Sequence, residues 1–184
     1  DRVAVIIGKN GETKKLLENL SFCKLTIDSK EQTVKIETTE ELKDPLLIWK
    51  TKFIIQAISR GFSPKNALKL LDDDVILDII DLDKIITSEK SRIRIKGRII
   101  GESGKTRRLI EELSETKLSI YGDTVSIIGL QYPVRIAKNA ILMLIDGASH
   151  TSIYRYLNKK KQELKQKRYE LWDKYELKSD LKDI

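Results

Sequence analysis

Apolar positions along the chain change period twice, in the same order each time. Val5, Ile6, Ile7, Leu16 and Leu17 bracket two glycines at helical spacing and predict two short helices joined by a tight loop. Leu25, Ile27, Val34 and Ile36 then alternate with polar residues, which predicts two antiparallel strands joined across Ser29 to Gln32. Asp44-Pro45 opens a further helix whose apolar face runs from Leu46 to Ile58 and stops at Gly61. The order then returns. Ile99, Ile100, Leu109, Ile110 and Leu113 flank a second glycine pair, strands are predicted at 117–121 and 124–128 around Gly122-Asp123, and a helix from Tyr132-Pro133 ends near Gly147.

The two halves match residue by residue at an offset of 93 positions. Ile7, Gly8, Gly11, Thr13, Leu16, Glu18, Leu20, Ser21, Lys24, Leu25 and Ile27 recur as Ile100, Gly101, Gly104, Thr106, Leu109, Glu111, Leu113, Ser114, Lys117, Leu118 and Ile120, so the chain is an internal duplication. Each Gly-x-x-Gly loop lets a polyanion approach the backbone closely and aims the positive end of the following helix at it. The candidate phosphate-binding residues are Gly8, Lys9, Asn10, Gly11, Lys14 and Lys15 in the first repeat. Their counterparts in the second are Arg98, Gly101, Ser103, Gly104, Lys105, Arg107 and Arg108. Glu102 puts an acid inside the second loop. Gly8 and Gly11 are expected to be exposed, so that acidic substitutions there would weaken binding and leave the fold intact.

Between the repeats, 61–74 reads as a compact connection with a short helix at Ser63-Pro64, followed by a strand over 75–82 and a helix from Ser88. Asp72-Asp73-Asp74 reads as a solvated turn. Thr151 or Ser152 is expected to cap a last helix in which Leu157, Leu164 and Leu171 recur every seven residues. Its run Lys159-Lys160-Lys161, with Lys165, Lys167 and Arg168, is read as a solvated face opposite that seam, RNA phosphate contact being the alternative. Tyr154, Tyr156, Tyr169, Trp172 and Tyr175 are expected mostly to pack on the body, and His150 to be structural. The predicted division is 1–71, 72–150 and a helical extension over 151–184.

Thirty-five Lys and Arg against twenty-eight Asp and Glu give a net charge of +7 and favour a polyanionic partner. A lone Cys23 forms no internal disulfide and points to a reducing cytoplasm. No run approaches the roughly 20 apolar residues of a membrane span, and no Cys and His cluster has metal-ligand spacing, so no metal, cofactor or catalytic residue is expected. Gly104-Lys105-Thr106 matches the end of the nucleotide-binding loop pattern, but Ile99 stands where that pattern needs its first glycine. A phosphate-loop NTPase is therefore the alternative from another class.

Helix, Gly-x-x-Gly, helix, strand, strand, helix, with a strand leading the second repeat, resembles the type I KH domain. The implied fold is α+β, two KH domains with three-stranded antiparallel sheets packed on helices and a C-terminal helix. The first domain is expected to lack its leading strand, because Asp1 already lies in the helix before the loop and residues upstream are taken as lost. Lys96 to Ile110, the strand pair around Tyr121-Gly122-Asp123-Thr124-Val125, and Gly147-Ala148-Ser149-His150-Thr151-Ser152-Ile153-Tyr154 resemble more narrowly the archaeal partner-of-Nob, Dim-type ribosome-assembly proteins. That resemblance implies a non-enzymatic factor that grips single-stranded RNA in the 3′ region of small-subunit rRNA precursors. It also implies a Nob-type endonuclease and other assembly factors as partners. A KH regulator of single-stranded nucleic acid is the remaining alternative.

Overall fold

The computed structural model describes residues 2–29, 31–39 and 44–180, positions 167 and 170–180 as backbone only. Helix α1 (Val3–Ile7) meets α2 (Glu12–Ser21) across the first glycine loop, and strands β1 (Cys23–Asp28) and β2 (Thr33–Thr38) lead to α3 (Leu46–Ser59). The connection holds α4 (Pro64–Ala67) and a 3-10 turn over Leu68–Leu71. Strand β3 (Val75–Asp81), α5 (Leu82–Ile85), α6 (Glu89–Ile100), α7 (Lys105–Ser114), β4 (Lys117–Tyr121), β5 (Thr124–Leu130) and α8 (Gln131–Ile145) form the second repeat. Helix α9 (His150–Asp180) follows. The predicted elements are present.

Alternation of apolar residues sets the strand registers. Leu25 faces Ile36 and Ile27 faces Val34 in the two-stranded sheet of the first repeat. In the second, the antiparallel order is β3-β5-β4, with Ile80 beside Val125 and Leu118 beside Ile127. Residues repeated between the halves make repeated bonds. Glu18 accepts the Leu25 backbone N–H at 2.8 Å, and Glu111 accepts that of Leu118 at 2.8 Å, tying the end of each loop helix to its strand. Ser21 and Ser114 donate back to the carbonyls of Leu17 and Ile110, four residues earlier.

Helix starts follow short polar side chains. Asp44 accepts the Leu46 N–H at 2.9 Å, and Ser63 accepts that of Asn66 at 3.4 Å. The last helix corrects the expected cap: it begins at His150, and Ser149 rather than Thr151 or Ser152 supplies the oxygen, accepting the Ser152 N–H at 3.2 Å. Gly61-Phe62-Ser63 thus recurs as Gly147-Ala148-Ser149, so the duplication includes the turn that closes each repeat.

Each repeat has its own core. Ile6, Leu17, Leu25, Ile54 and Ile58 are buried in the first, and Ile99, Ile110, Ile127, Ile141 and Leu144 in the second. Ile153, Leu157 and Leu164 bring α9 into the second core, while Leu171 of the predicted seam lies outside the described side chains. The cores meet through the second sheet. Val125 and Ile127 of β5 face the second core, whereas Ile128 joins the first, with Val75 and Leu77 packed against it. Ser119 donates to the Arg60 carbonyl at 2.9 Å, and the Arg2 guanidinium sits 5.5 Å from the centre of the Tyr121 ring. At Gly61 a Cβ would stand 2.8 Å from that of Tyr121. The connection is a packed joint, with Phe62, Ala67 and Leu70 buried.

Candidate nucleic-acid interface

The two loops have the same backbone. Gly8 (φ 73°, ψ 176°), Asn10 (53°, 24°) and Gly11 (79°, 9°) correspond to Gly101 (71°, 175°), Ser103 (49°, 28°) and Gly104 (76°, 16°). The opening glycine lies in a region essentially closed to side chains, and the next two positions at positive φ turn the chain into the following helix. Gly8 and Gly101 end the helices before them, donating to Ala4 at 2.9 Å and to Gly97 at 2.8 Å. No side chain caps α2 or α7, and the first N–H of each, at Glu12 and Lys105, donates to the loop carbonyl of Lys9 or Glu102.

The two glycines of each loop have different reasons. A Cβ on Gly8 would stand 2.8 Å from the Cβ and backbone nitrogen of Thr13, and one on Gly101 the same distance from those of Thr106. This corrects the expectation that Gly8 tolerates an acidic side chain: the position is closed. Gly11 meets nothing within 4 Å, and Gly104 only the Arg108 guanidinium at 3.6 Å. These two closing glycines are the open positions of the turns.

Charge is arranged differently around identical turns. Lys9 and Asn10 are exposed at the first tip, and Glu102 and Ser103 at the second. The helix starts reverse this: Glu12 opens α2 where Lys105 opens α7. Behind them stand Lys14 and Lys15, and Arg107 and Arg108. Lys14 lies 3.8 Å from the Glu18 carboxylate and Arg107 4.0 Å from that of Glu111, while Lys15 and Arg108 are exposed.

Arg98, predicted to face phosphate, is turned inward. Its guanidinium donates to the Leu144 carbonyl at 2.8 Å and the Ala148 carbonyl at 2.5 Å, closing the end of α8. His150 bonds the Arg98 carbonyl at 3.1 Å, a structural role as expected. Lys96 reaches the Gly122 carbonyl and the Asp123 carboxylate, whose pKa its hydrogen bond lowers, with Arg92 3.3 Å from the same carboxylate. Three of the five basic residues of α6 thus hold the fold, leaving Lys90 and Arg94 exposed. On α9, Lys160 pairs with Glu163, Lys161 with Glu112 and Arg168 with Glu115; Trp172 and Tyr175 lie outside the described side chains.

The structure adds a strip that charge reading missed. Ile93 and Ile100 are exposed on α6, with Gly97 between them offering no side chain, so a flat apolar track leads to the second loop. Its signal was the i, i+4, i+7 spacing ahead of the first glycine. In the first repeat Ala4 and Ile7 take the places of Gly97 and Ile100. The nucleotide-loop alternative loses its geometry here. Thr106 is buried beneath Gly101 with its hydroxyl 3.2 Å from that of Tyr154, and a helix rather than a strand precedes the loop. Asp72 accepts the Asp74 N–H and Asp73 pairs with Lys50, as befits a solvated turn. Among the described residues no helix is long and apolar enough to cross a membrane.

Two family profiles match the chain, one over each repeat. Residues 76–162 match the family profile described as a eukaryotic type KH domain, KH-domain type I, and residues 2–73 match the Krr1 KH1 domain. A KH domain-containing protein of Methanocaldococcus jannaschii is 47% identical over the whole chain, which spans 79% of that protein. The pre-rRNA-processing protein pno1 of Schizosaccharomyces pombe is 30% identical over 76% of this chain and 58% of its own length. Among solved structures, Dim2p of Pyrococcus horikoshii OT3 superposes with a TM-score of 0.82 at 48% identity, covering 86% of this chain and 93% of that one. A chain from the a/eIF2alpha-aDim2p-rRNA complex of the same organism gives 0.84 at 48% identity, covering 89% and 90%.

Proposed function

The chain belongs to the Dim/Pno1-type tandem KH proteins, and on that premise we propose that it is a non-enzymatic RNA-binding assembly factor of the small ribosomal subunit. It grips single-stranded RNA of the 3′ region of the rRNA precursor through both Gly-x-x-Gly turns. The observation that carries this reading is the pair of turns with one backbone, each open at its closing glycine and each feeding a helix start that no side chain caps, beside exposed cations. Phosphates approach the open glycine, and bases lie along the apolar track of the preceding helix. The relative solved with rRNA and a/eIF2alpha supports RNA as the ligand. A Nob-type endonuclease and further assembly factors are the partners we assign, in the cytoplasm. The packed joint between repeats holds the two turns at one separation, so a single strand engages both.

The test is a titration with single-stranded RNA of the small-subunit 3′ end, its scrambled version, and DNA of the same sequence. Preference for the matched RNA is expected, with affinity peaking at one spacer length when two short sites are separated by a graded series. Equal affinity for RNA and DNA would favour the single-stranded nucleic-acid regulator instead. ATP turnover above background would restore the enzymatic reading.

A further inference from the structure

The two repeats differ most where each is closed. After α8, helix α9 crosses α7 and α8, burying Leu113 to 7% exposure and half-covering Leu109 and Tyr132. Its hold is also ionic, through Lys161 with Glu112 and Arg168 with Glu115. After α3, the corresponding segment is only α4 and the turn to Leu71, from which the chain departs for β3. Ala67 occupies the place of Ile153 and Leu71 that of Leu157, and among the described residues of the first repeat nothing continues where α9 runs on toward Arg168.

The seat remains although its occupant is missing. Leu16, Leu20 and Leu46, the counterparts of Leu109, Leu113 and Tyr132, are 44%, 41% and 59% exposed. Phe53 and Trp49 extend this surface along α3, at positions that Asn139 and Arg135 occupy in the second repeat. An exposed apolar face with aromatic residues at positions that are polar in the duplicate helix is the signature of a docking surface.

Charge selects what fits. The acids that receive the cations of α9 are replaced by Asn19 and Phe22. Lys15 adjoins Leu16 on α2, and Lys52 lies over the Trp49 ring at 5.1 Å. A basic helix such as α9 of a second copy therefore lacks its partners here. We propose that the α2/α3 groove of the first repeat docks an amphipathic helix of a partner protein, apolar along one stripe and acidic on its flanks, lying as α9 lies on α7 and α8. This surface is separate from the glycine turns and stands independently of the RNA reading.

The test uses the full chain and two synthetic peptides: residues 153–168 unmodified, and the same peptide with K159E, K161E, K165E and R168E. Methyl and aromatic NMR shifts are followed during titration. The acidic peptide is expected to saturate, with shifts centred on Leu16, Leu20, Leu46 and Phe53, at least tenfold more tightly than the unmodified one. The exposed double variant L20D/F53D should lose that binding and retain wild-type affinity for RNA. No saturation, shifts centred elsewhere, or equal affinity for the basic peptide would overturn the proposal. Self-association of the free protein that L20D/F53D abolishes would also overturn it, by assigning the groove to a second copy.

Discussion

The first and second repeats share a turn to within a few degrees and differ in the charges and the supports placed around it. At the four positions of Lys9, Glu12, Lys14 and Lys15 the first repeat carries three bases and one acid, and so does the second at Glu102, Lys105, Arg107 and Arg108. The acid has moved from the helix start to the tip. Among the described residues the second repeat also has three strands where the first has two, and Tyr154 lies beneath its loop. Local backbone geometry was thus retained while charge and support diverged. That combination suits two turns gripping the same kind of ligand at different points along one strand.

The hardest test of the shared turn is Ala at its opening glycine. Gly101→Ala and Gly8→Ala should each destabilise their repeat by about 3 kcal/mol, combining a strained φ with a clash against Thr106 or Thr13. Denaturant unfolding measures it, and a cost confined to Gly101→Ala would mean that the first turn relaxes and the equivalence is only apparent. Arg98→Ala comes next. Losing two charge-assisted bonds to the Leu144 and Ala148 carbonyls should cost about 2 kcal/mol of stability without changing the salt dependence of RNA binding. A shallower salt slope at unchanged stability would return Arg98 to the phosphate surface.

Binding separates the repeats at smaller magnitude. Gly11→Asp meets open space and Gly104→Asp only the Arg108 guanidinium, each at a positive φ that aspartate adopts for about 1 kcal/mol, so each should weaken RNA affinity about tenfold, near 1.4 kcal/mol, while circular dichroism stays native. Unequal losses would rank the repeats, and no loss at Gly11 would make the first a scaffold. Smallest is the exchange of tip charge. Glu102→Lys should tighten binding a few-fold and steepen the log-log salt slope by about 0.7, one added contact to a single strand. An unchanged slope would show that the Glu102 side chain points away from RNA.

Much of this architecture was legible because it is written at short range. The turns could be read from spacing, since glycine alone tolerates the φ and ψ of Gly8 and Gly101. The strands could be read from alternation. The duplication exposed Glu18 and Glu111 as matched residues before their identical bonds to the following strand were visible. What misled was charge counted without direction. Arg98, Lys96 and Arg92 lie on a basic helix next to the loop, yet the carbonyl end of α8 and the Asp123 carboxylate take them inward.

The sequence by itself determined the order of elements, the two turns and the cationic helix starts, because each depends on residues within a few positions of one another. Only the tertiary structure decided that the second sheet is covered on both faces, with Ile127 and Ile128 sent to different cores. It likewise decided that Gly8 is closed while Gly11 is open, and that α9 packs on α7 and α8 while Leu16, Leu20 and Leu46 of the first repeat are exposed. These follow from contacts between segments distant in sequence, and hydrophobic period records that a residue is buried without recording against what.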